Sequence, residues 1–333
     1  MRFRSSPGLI FIVFITMYLV ACPKVTVKTD LAASTIRLAY ALLPQAGIVH
    51  IALAEGFFKD EGLEVIPQAF AFGKPAMECV VKGEADLATT ADTPFMFALL
   101  DRGTYCISAV IESSDRTIAM VVGKAAGIGK MEDLAGKTIA VTKGTSGEYF
   151  LAAFLMARGL DAADVNIVDI LPNAMSVELK AGRIDAAVVW NPVLLEISEE
   201  LAADGTVFFG DDVYTEHFCI AGKQDFPQDN PETMHGFMKA LIRAEQFLKA
   251  NPDKALDIIS EYSHTEKSDL ESILPLLRLR VSLDQTLPLL LEDEIRWTMK
   301  DFQGKSRDMP DYTEYIDVES LAGVAPERVR LIR

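Results

Sequence analysis

Lys143-Gly144-Thr145-Ser146-Gly147-Glu148-Tyr149 joins an apolar strand-like run to a helix-like one. A turn of that kind leaves backbone N–H groups unpaired at the positive end of a helix dipole, which suits an anion. Thr145, Ser146 and Gly147 are therefore the expected contacts of a sulfonate, carboxylate or similar group. The same pattern also reads as a plain helix cap made by Ser146. It is not a hydrolase nucleophile, because Glu148 stands where Gly-x-Ser-x-Gly requires its second glycine. Gly127-Ile128-Gly129-Lys130-Met131 fails as a phosphate loop, with Met131 in place of Ser or Thr and Lys124 where the first glycine belongs. The four histidines, His50, His217, His235 and His264, show no metal-ligand spacing with each other or with cysteine. No catalytic constellation, metal or cofactor is expected.

Further candidates sit at other loop ends. Thr89-Thr90-Ala91-Asp92-Thr93 follows another apolar run, so Thr90 or Thr93 can donate to a ligand while Asp92 caps a helix or meets an amine. Trp190-Asn191-Pro192 holds the matching place about a hundred residues on. Trp190 either covers a planar or apolar ligand or is buried with its indole N–H satisfied. Gln45, Phe72, Gly73 and Asn173 complete the set. Lys74 is expected to be a solvated surface cation, and Glu148 to point to solvent, since charged side chains are seldom buried.

These residues need a frame, and the chain spells one out twice. Gly83-Glu84-Ala85-Asp86-Leu87 and Gly182-Arg183-Ile184-Asp185-Ala186 share Gly-x-x-Asp before a small or apolar strand. Gly62-Leu63 faces Gly159-Leu160, and Thr93-Pro94 faces Asn191-Pro192, at nearly the same offset. The first copy alternates as Ile36–Tyr40, Ile48–Lys59, Leu63–Pro67, Pro75–Lys82 and Asp86–Thr89, and the second as Thr138–Thr142, Gly147–Arg158, Asn166–Ile170, Ala174–Ala181 and Asp185–Trp190. Alternating strands and helices imply an α/β fold with parallel sheets, each copy forming a lobe. Ligands of such sheets bind outside the carboxyl ends of the strands, which is where the candidates fall. Cys106–Ile111 leads to Thr117–Val122 as a first crossing between lobes, and Tyr214–Ala221 reads as the return, a two-crossing hinge. Lobe one then spans residues 35–113 and 214–333, and lobe two 114–213. From Pro231 onward the chain reads as mostly helical, with Met234, Phe237, Met238, Leu241, Ala244 and Leu248 at helical spacing.

The N-terminus has its own logic. Arg2 and Arg4 precede the largely apolar run Leu9–Ala21, and Cys22 follows. Thirteen residues are too few for a confident membrane span, which needs about 20, and fit a removable signal over residues 1–21 with a tether over 22–34. Its removal lowers the formal charge from −16 to −18, a surface that repels nucleic acid. Cys79, Cys106 and Cys219 remain, an odd number that excludes a disulfide scaffold. Cys106 and Cys219 fall in strands expected to run side by side, and isolated buried thiols are the preferred reading.

Leu19-Val20-Ala21-Cys22 resembles the bacterial lipoprotein box, which implies lipidation at Cys22 and a membrane-anchored protein of the periplasm or cell surface. Ala54-Glu55-Gly56-Phe57-Phe58-Lys59-Asp60-Glu61-Gly62-Leu63, Lys82-Gly83-Glu84-Ala85-Asp86-Leu87, Asp133-Leu134-Ala135-Gly136-Lys137-Thr138 and Gly182 through Pro192, in that order, resemble the substrate-binding proteins of ABC transporters for sulfonates, taurine, nitrate and thiamine precursors. The resemblance implies a type II periplasmic binding protein, α/β in class, that captures a small-molecule ligand between its lobes. It also implies delivery to an ABC permease in the inner membrane with a separate ATPase. A small organosulfonate, oxoanion or zwitterion is the first expectation, and a pyrimidine-type thiamine precursor or a periplasmic ligand sensor the alternative. A monomer without enzymatic activity is expected.

Overall fold

The computed structural model describes Met1 and residues 34–100, 103–210, 213–301 and 312–332. The segments expected as signal and tether, from residue 2 to residue 33 and including Cys22, lie outside the described residues.

Residues 34–114 run β1 (Ser34–Ala41), α1 (Gly47–Ala54), α2 (Phe57–Asp60), β2 (Leu63–Phe70), α3 (Gly73–Val81), β3 (Leu87–Ala91), α4 (Asp92–Leu100) and β4 (Tyr105–Ser114). The next stretch runs β5 (Ile118–Gly123), β6 (Thr138–Val141), α5 (Ser146–Met156), β7 (Asn166–Asp169), α6 (Pro172–Lys180), β8 (Ala186–Trp190), α7 (Val193–Leu201) and β9 (Gly205–Phe209). The chain then returns through β10 (Glu216–Lys223), α8 (Asp225–Asp229), α9 (Pro231–Ala250), α10 (Pro252–Ser263), α11 (Lys267–Ile273), β11 (Arg278–Asp284), α12 (Thr286–Asp301), α13 (Glu319–Ala322) and β12 (Val329–Arg330).

Two sheets result, with strand orders β12-β11-β4-β10-β3-β1-β2 and β7-β6-β8-β5-β9. The repeat is visible in both. Parallel strands β2, β1 and β3 match β7, β6 and β8, and each set is continued by one antiparallel strand, β10 in lobe one and β5 in lobe two. That antiparallel strand is the one that has just crossed from the other half of the chain.

The Gly-x-x-Asp repeat has a physical cause. Gly83 and Gly182 adopt φ of 76° and 63°, a conformation that costs glycine little and ends α3 and α6 with left-handed caps. Three residues later the carboxylates reach the first strand of each copy: Asp86 accepts from the N–H of Arg37 at 2.8 Å, and Asp185 from that of Thr138 at 2.8 Å. The reciprocal N–H groups donate to the carbonyls of Arg37 and Thr138. Each Asp therefore locks the register between the strand it opens and the strand beside it.

Two details differ from expectation. The run expected as one helix over Ile48–Lys59 is broken at Gly56, whose φ of 72° separates α1 from α2. The C-terminal part also supplies β11, antiparallel to β4, and β12, parallel to β11. Its alternation was in the sequence: Leu279, Val281 and Leu283 face one way and Arg278, Arg280 and Ser282 the other. Cys106 and Cys219 do lie on adjacent antiparallel strands, but Cys106 pairs with Gly222 and Cys219 with Val110, and both thiols are free and buried.

Candidate functional site

A small cavity of about 20 Å³ lies where the two lobes meet, with walls from both. Lobe one contributes Leu43, Gln45, Phe72, Gly73, Lys74, Ala91 and Pro94, with Glu216 and Phe218 from the returning strand β10, while lobe two contributes Thr145, Ser146 and Trp190. That space holds about one water, so an organic solute enters only when the lobes part. Two contacts bridge the lobes at the mouth. The rings of Phe72 and Trp190 meet with centroids 5.6 Å apart, and the Lys74 ammonium donates to the carbonyl of Lys143 at 2.8 Å.

Helix starts explain how these groups converge. α3 begins at Gly73, where a Cβ would come within 2.8 Å of the Thr90 Cα, so only glycine lets this helix end approach β3 so closely. α5 begins at Ser146 after Gly144, which turns the chain at φ 70°. Thr145 donates its hydroxyl to the carbonyl of Thr142 at 2.6 Å. Glu148, expected to point to solvent, instead folds back and accepts from the Gly144 N–H at 2.6 Å. Its pKa is raised by burial, opposed by that hydrogen bond. Lys74, expected to be free in solvent, is the cross-lobe bridge.

Of the twelve candidate ligand contacts, Gln45, Phe72, Gly73, Thr145, Ser146 and Trp190 line the cavity. Thr90, Asp92 and Thr93 are fully buried behind it. Asp92 accepts from the Tyr214 hydroxyl at 2.5 Å, the His217 N–H at 2.8 Å and the Thr93 N–H at 2.7 Å, so its carboxyl fastens the return strand to α4. Thr93 donates to Glu294 on α12. Gly147 is buried against the Val188 carbonyl, Asn191 is buried with its N–H on the Thr117 carbonyl, and Asn173 is exposed at the start of α6.

The charge that matters most escaped the sequence reading. Glu216 is only 5% exposed, lines the cavity, accepts from the Thr117 hydroxyl at 3.1 Å and is hydrogen-bonded to Ser146. Burial, aided by the nearby Asp92, pushes its carboxyl up to about 7. Asp92, Glu112 and Glu294 are fully buried in the same region, and burial raises each of them. A charged residue opening an otherwise apolar strand, Glu216-His217-Phe218-Cys219-Ile220-Ala221, was the available signal. A larger cavity of about 790 Å³ lies within lobe one among Gln224, Pro231, His235, Asp317 and Ser320, and holds none of the candidates. Among the described residues no cluster of His, Cys, Asp and Glu could hold a metal ion.

Comparisons with known proteins agree with this architecture. The taurine-binding periplasmic protein of Escherichia coli K12 is 29% identical over 199 residues, 59% of this chain and 61% of that protein. The formylaminopyrimidine-binding protein of Halalkalibacterium halodurans is 21% identical over 263 residues, 77% of this chain and 78% of that protein. Among solved structures, the periplasmic aliphatic sulphonate binding protein of Escherichia coli superposes with a TM-score of 0.73 at 17% identity, covering 85% of this chain and 97% of that one. That likeness shows the fold, the two-lobed periplasmic binding protein. Residues 44–255, well over half of the sequence and including both copies of the repeat, match the model of the NMT1/THI5-like family, and this chain belongs to that family.

Proposed function

We propose that this chain is the solute receptor of an ABC importer, which closes its lobes on a small polar molecule and hands it to a membrane permease driven by a separate ATPase. The observation that carries this reading is the cavity itself, walled by both lobes and by β10, the strand that returns from one to the other. Hinge opening at the crossings between lobes exposes the α3 and α5 starts, and closure buries whatever they hold. A small organosulfonate, nitrate-like oxoanion or zwitterion is the leading solute class, supported by the taurine-binding relative. Lipidated Cys22 tethers the receptor, a monomer, in the periplasm or at the cell surface beside its permease. The work is binding without turnover.

A second reading has its own support. The paired rings of Phe72 and Trp190, together with the formylaminopyrimidine-binding relative, favour a planar amino heterocycle. A periplasmic sensor would use the same cleft and present the closed lobes to a signalling partner.

A thermal-shift screen of the purified chain over alkanesulfonates, taurine, nitrate and aminopyrimidines tests the ligand class. Stabilisation by one class is expected, and none across all four rejects the assignment. Turnover of a bound solute would exclude the binding-only role. Palmitate labelling that persists in Cys22→Ala would exclude Cys22 as the lipidated residue.

A further inference from the structure

The α5 start looks like an anion seat, yet both its hydroxyls and the N–H of the preceding glycine are already engaged by the protein. The Gly144 N–H is held by Glu148, the Thr145 hydroxyl by the Thr142 carbonyl, and Ser146 by Glu216. Among its side chains, what the cavity has to spare is acceptors. Gln45 is 1% exposed, lines the cavity, and its Oε1 has no hydrogen-bond partner among the described residues. A buried amide oxygen in that state is costly unless a donor reaches it. Glu216 beside it has two oxygens, able to accept about four hydrogen bonds, and its partners Thr117 and Ser146 leave capacity on the cavity side.

The surroundings reinforce this polarity. Charged and titratable groups on the elements around Glu216 are Asp92 on α4, Glu112 on β4, Tyr214 just before β10, His217 and Cys219 on it, Glu148 and Tyr149 on α5, Glu294 on α12 and Lys74 on α3. Acids dominate, and neither oxygen of Glu112 has a partner among the described residues. Among the described residues the only cation on the cavity wall is Lys74, at the mouth, with N–H groups left after its bond to Lys143. An acidic end of the solute therefore belongs at the mouth and a donating end inside, with the faces of Phe72 and Trp190 suited to a cation or a flat ring.

We propose that the solute carries an N–H donor, an ammonium or an amino group, that hydrogen-bonds Glu216 and Gln45 when the lobes close. This deepens, and rests on, the reading of the cleft as a solute site. Glu216 is the residue that separates amino-bearing solutes from wholly anionic ones, and affinity for an amine weakens as Glu216 takes up a proton.

Isothermal titration of the purified chain with matched probes tests this: taurine against ethanesulfonate, and 4-amino-2-methylpyrimidine against 2,4-dimethylpyrimidine. The amino member of at least one pair is expected to bind at least tenfold tighter, Glu216→Gln to abolish that preference, and the wild-type affinity to fall at least fivefold from pH 8 to 5.5. An equal or tighter fit of the amine-free partner, a preference that survives Glu216→Gln, or a flat pH profile overturns the proposal. The wild-type pH profile decides the matter should Glu216→Gln not fold. Trp190→Ala separates the two levels of the argument. If it weakens both members of a pair while Glu216→Gln leaves their ratio unchanged, only the amine assignment falls. If bound probes are indifferent to Trp190→Ala, or no probe binds at all, the cleft is not the solute site and both readings fall.

Discussion

The two lobes repeat one frame but back the cleft with opposite materials. In lobe two, β8 runs out into Trp190, Asn191 and Pro192, and α5 meets the cleft with small hydroxyls. In lobe one, the equivalent β3 runs into Asp92, and behind it sit Glu112, Glu216 and Glu294, all nearly or completely buried. The shared parts, a glycine cap and an aspartate clamp in each copy, hold strands in register. On the proposed reading of the cleft, ligand preference and pH response reside in what the copies do not share, and most of that lies on the lobe-one side.

The largest test of this asymmetry compares Asp92→Ala with Asn191→Ala. Removing the Asp92 carboxyl strands the Tyr214 hydroxyl and the N–H groups of His217 and Thr93, and should cost about 4 kcal/mol in urea unfolding. Asn191→Ala should cost about 1 kcal/mol. Equal losses would erase the contrast.

Next comes pH. The Glu216 carboxyl has a folded value of about 7, above its unfolded one, so the folded protein holds a proton that the unfolded chain releases first. Stability contributed by this group is complete below about pH 4.5 and is lost as pH rises to about 7, roughly 3 kcal/mol for a shift of that size. Glu112 and Glu294 act in the same direction. His50, buried in lobe one and lowered to about 4, acts oppositely and removes stability as pH falls from about 6.5 toward 4. The difference between wild type and Glu216→Gln isolates the carboxyl: the variant should gain on wild type between pH 4.5 and 7.5 in urea melts. Parallel curves would show that Glu216 does not titrate there.

The repeated clamps offer a smaller contrast. Asp86→Ala and Asp185→Ala should each cost about 1–2 kcal/mol through a lost bond to a strand N–H. The Arg37 guanidinium, 2.5 Å from Asp86 but part-exposed, adds little to that side, so the two losses should agree within about 1 kcal/mol. Losing much more from one than from the other would mean that the copies are not equivalent frames. Smallest of all, Lys74→Met should remove a single cross-lobe hydrogen bond worth about 1 kcal/mol and shift the chain toward open forms. Small-angle scattering should report a larger radius of gyration, and an unchanged one would show that Lys74 does not hold the lobes.

The frame was legible in the sequence because its signals are local. Gly83 and Asp86 lie three residues apart, as do Gly182 and Asp185, and strand and helix periods can be read within a dozen residues. Gln45, Phe72, Gly73, Thr145, Ser146 and Trp190 were legible as cavity wall because they stand at loop ends of that frame. Glu216 was not: the return over Tyr214–Ala221 was legible, but its insertion between β3 and β4, with Glu216 against Thr117 and Ser146, depends on residues at least seventy positions away. Lys74 and Glu148 were misjudged for a related reason: a general preference of charged groups for solvent cannot foresee a carbonyl across a cleft or an N–H four residues back. β11 was missed because a period-two pattern sat between two helices.

The exchange of antiparallel strands also dictates an order of assembly. Lobe two is written in one continuous stretch, β5 to β9, and has every strand of its sheet once residue 209 has emerged. Lobe one, begun far earlier, must wait for residues 216–223 to fill the gap between β3 and β4, and for β11 and β12 to complete its edge. The half of the receptor that comes second along the chain is thus the first able to finish. A fragment cut at the second crossing would leave lobe one with the three strands β2-β1-β3 and β4 apart from them, their edges open to mispairing until the missing strands arrive.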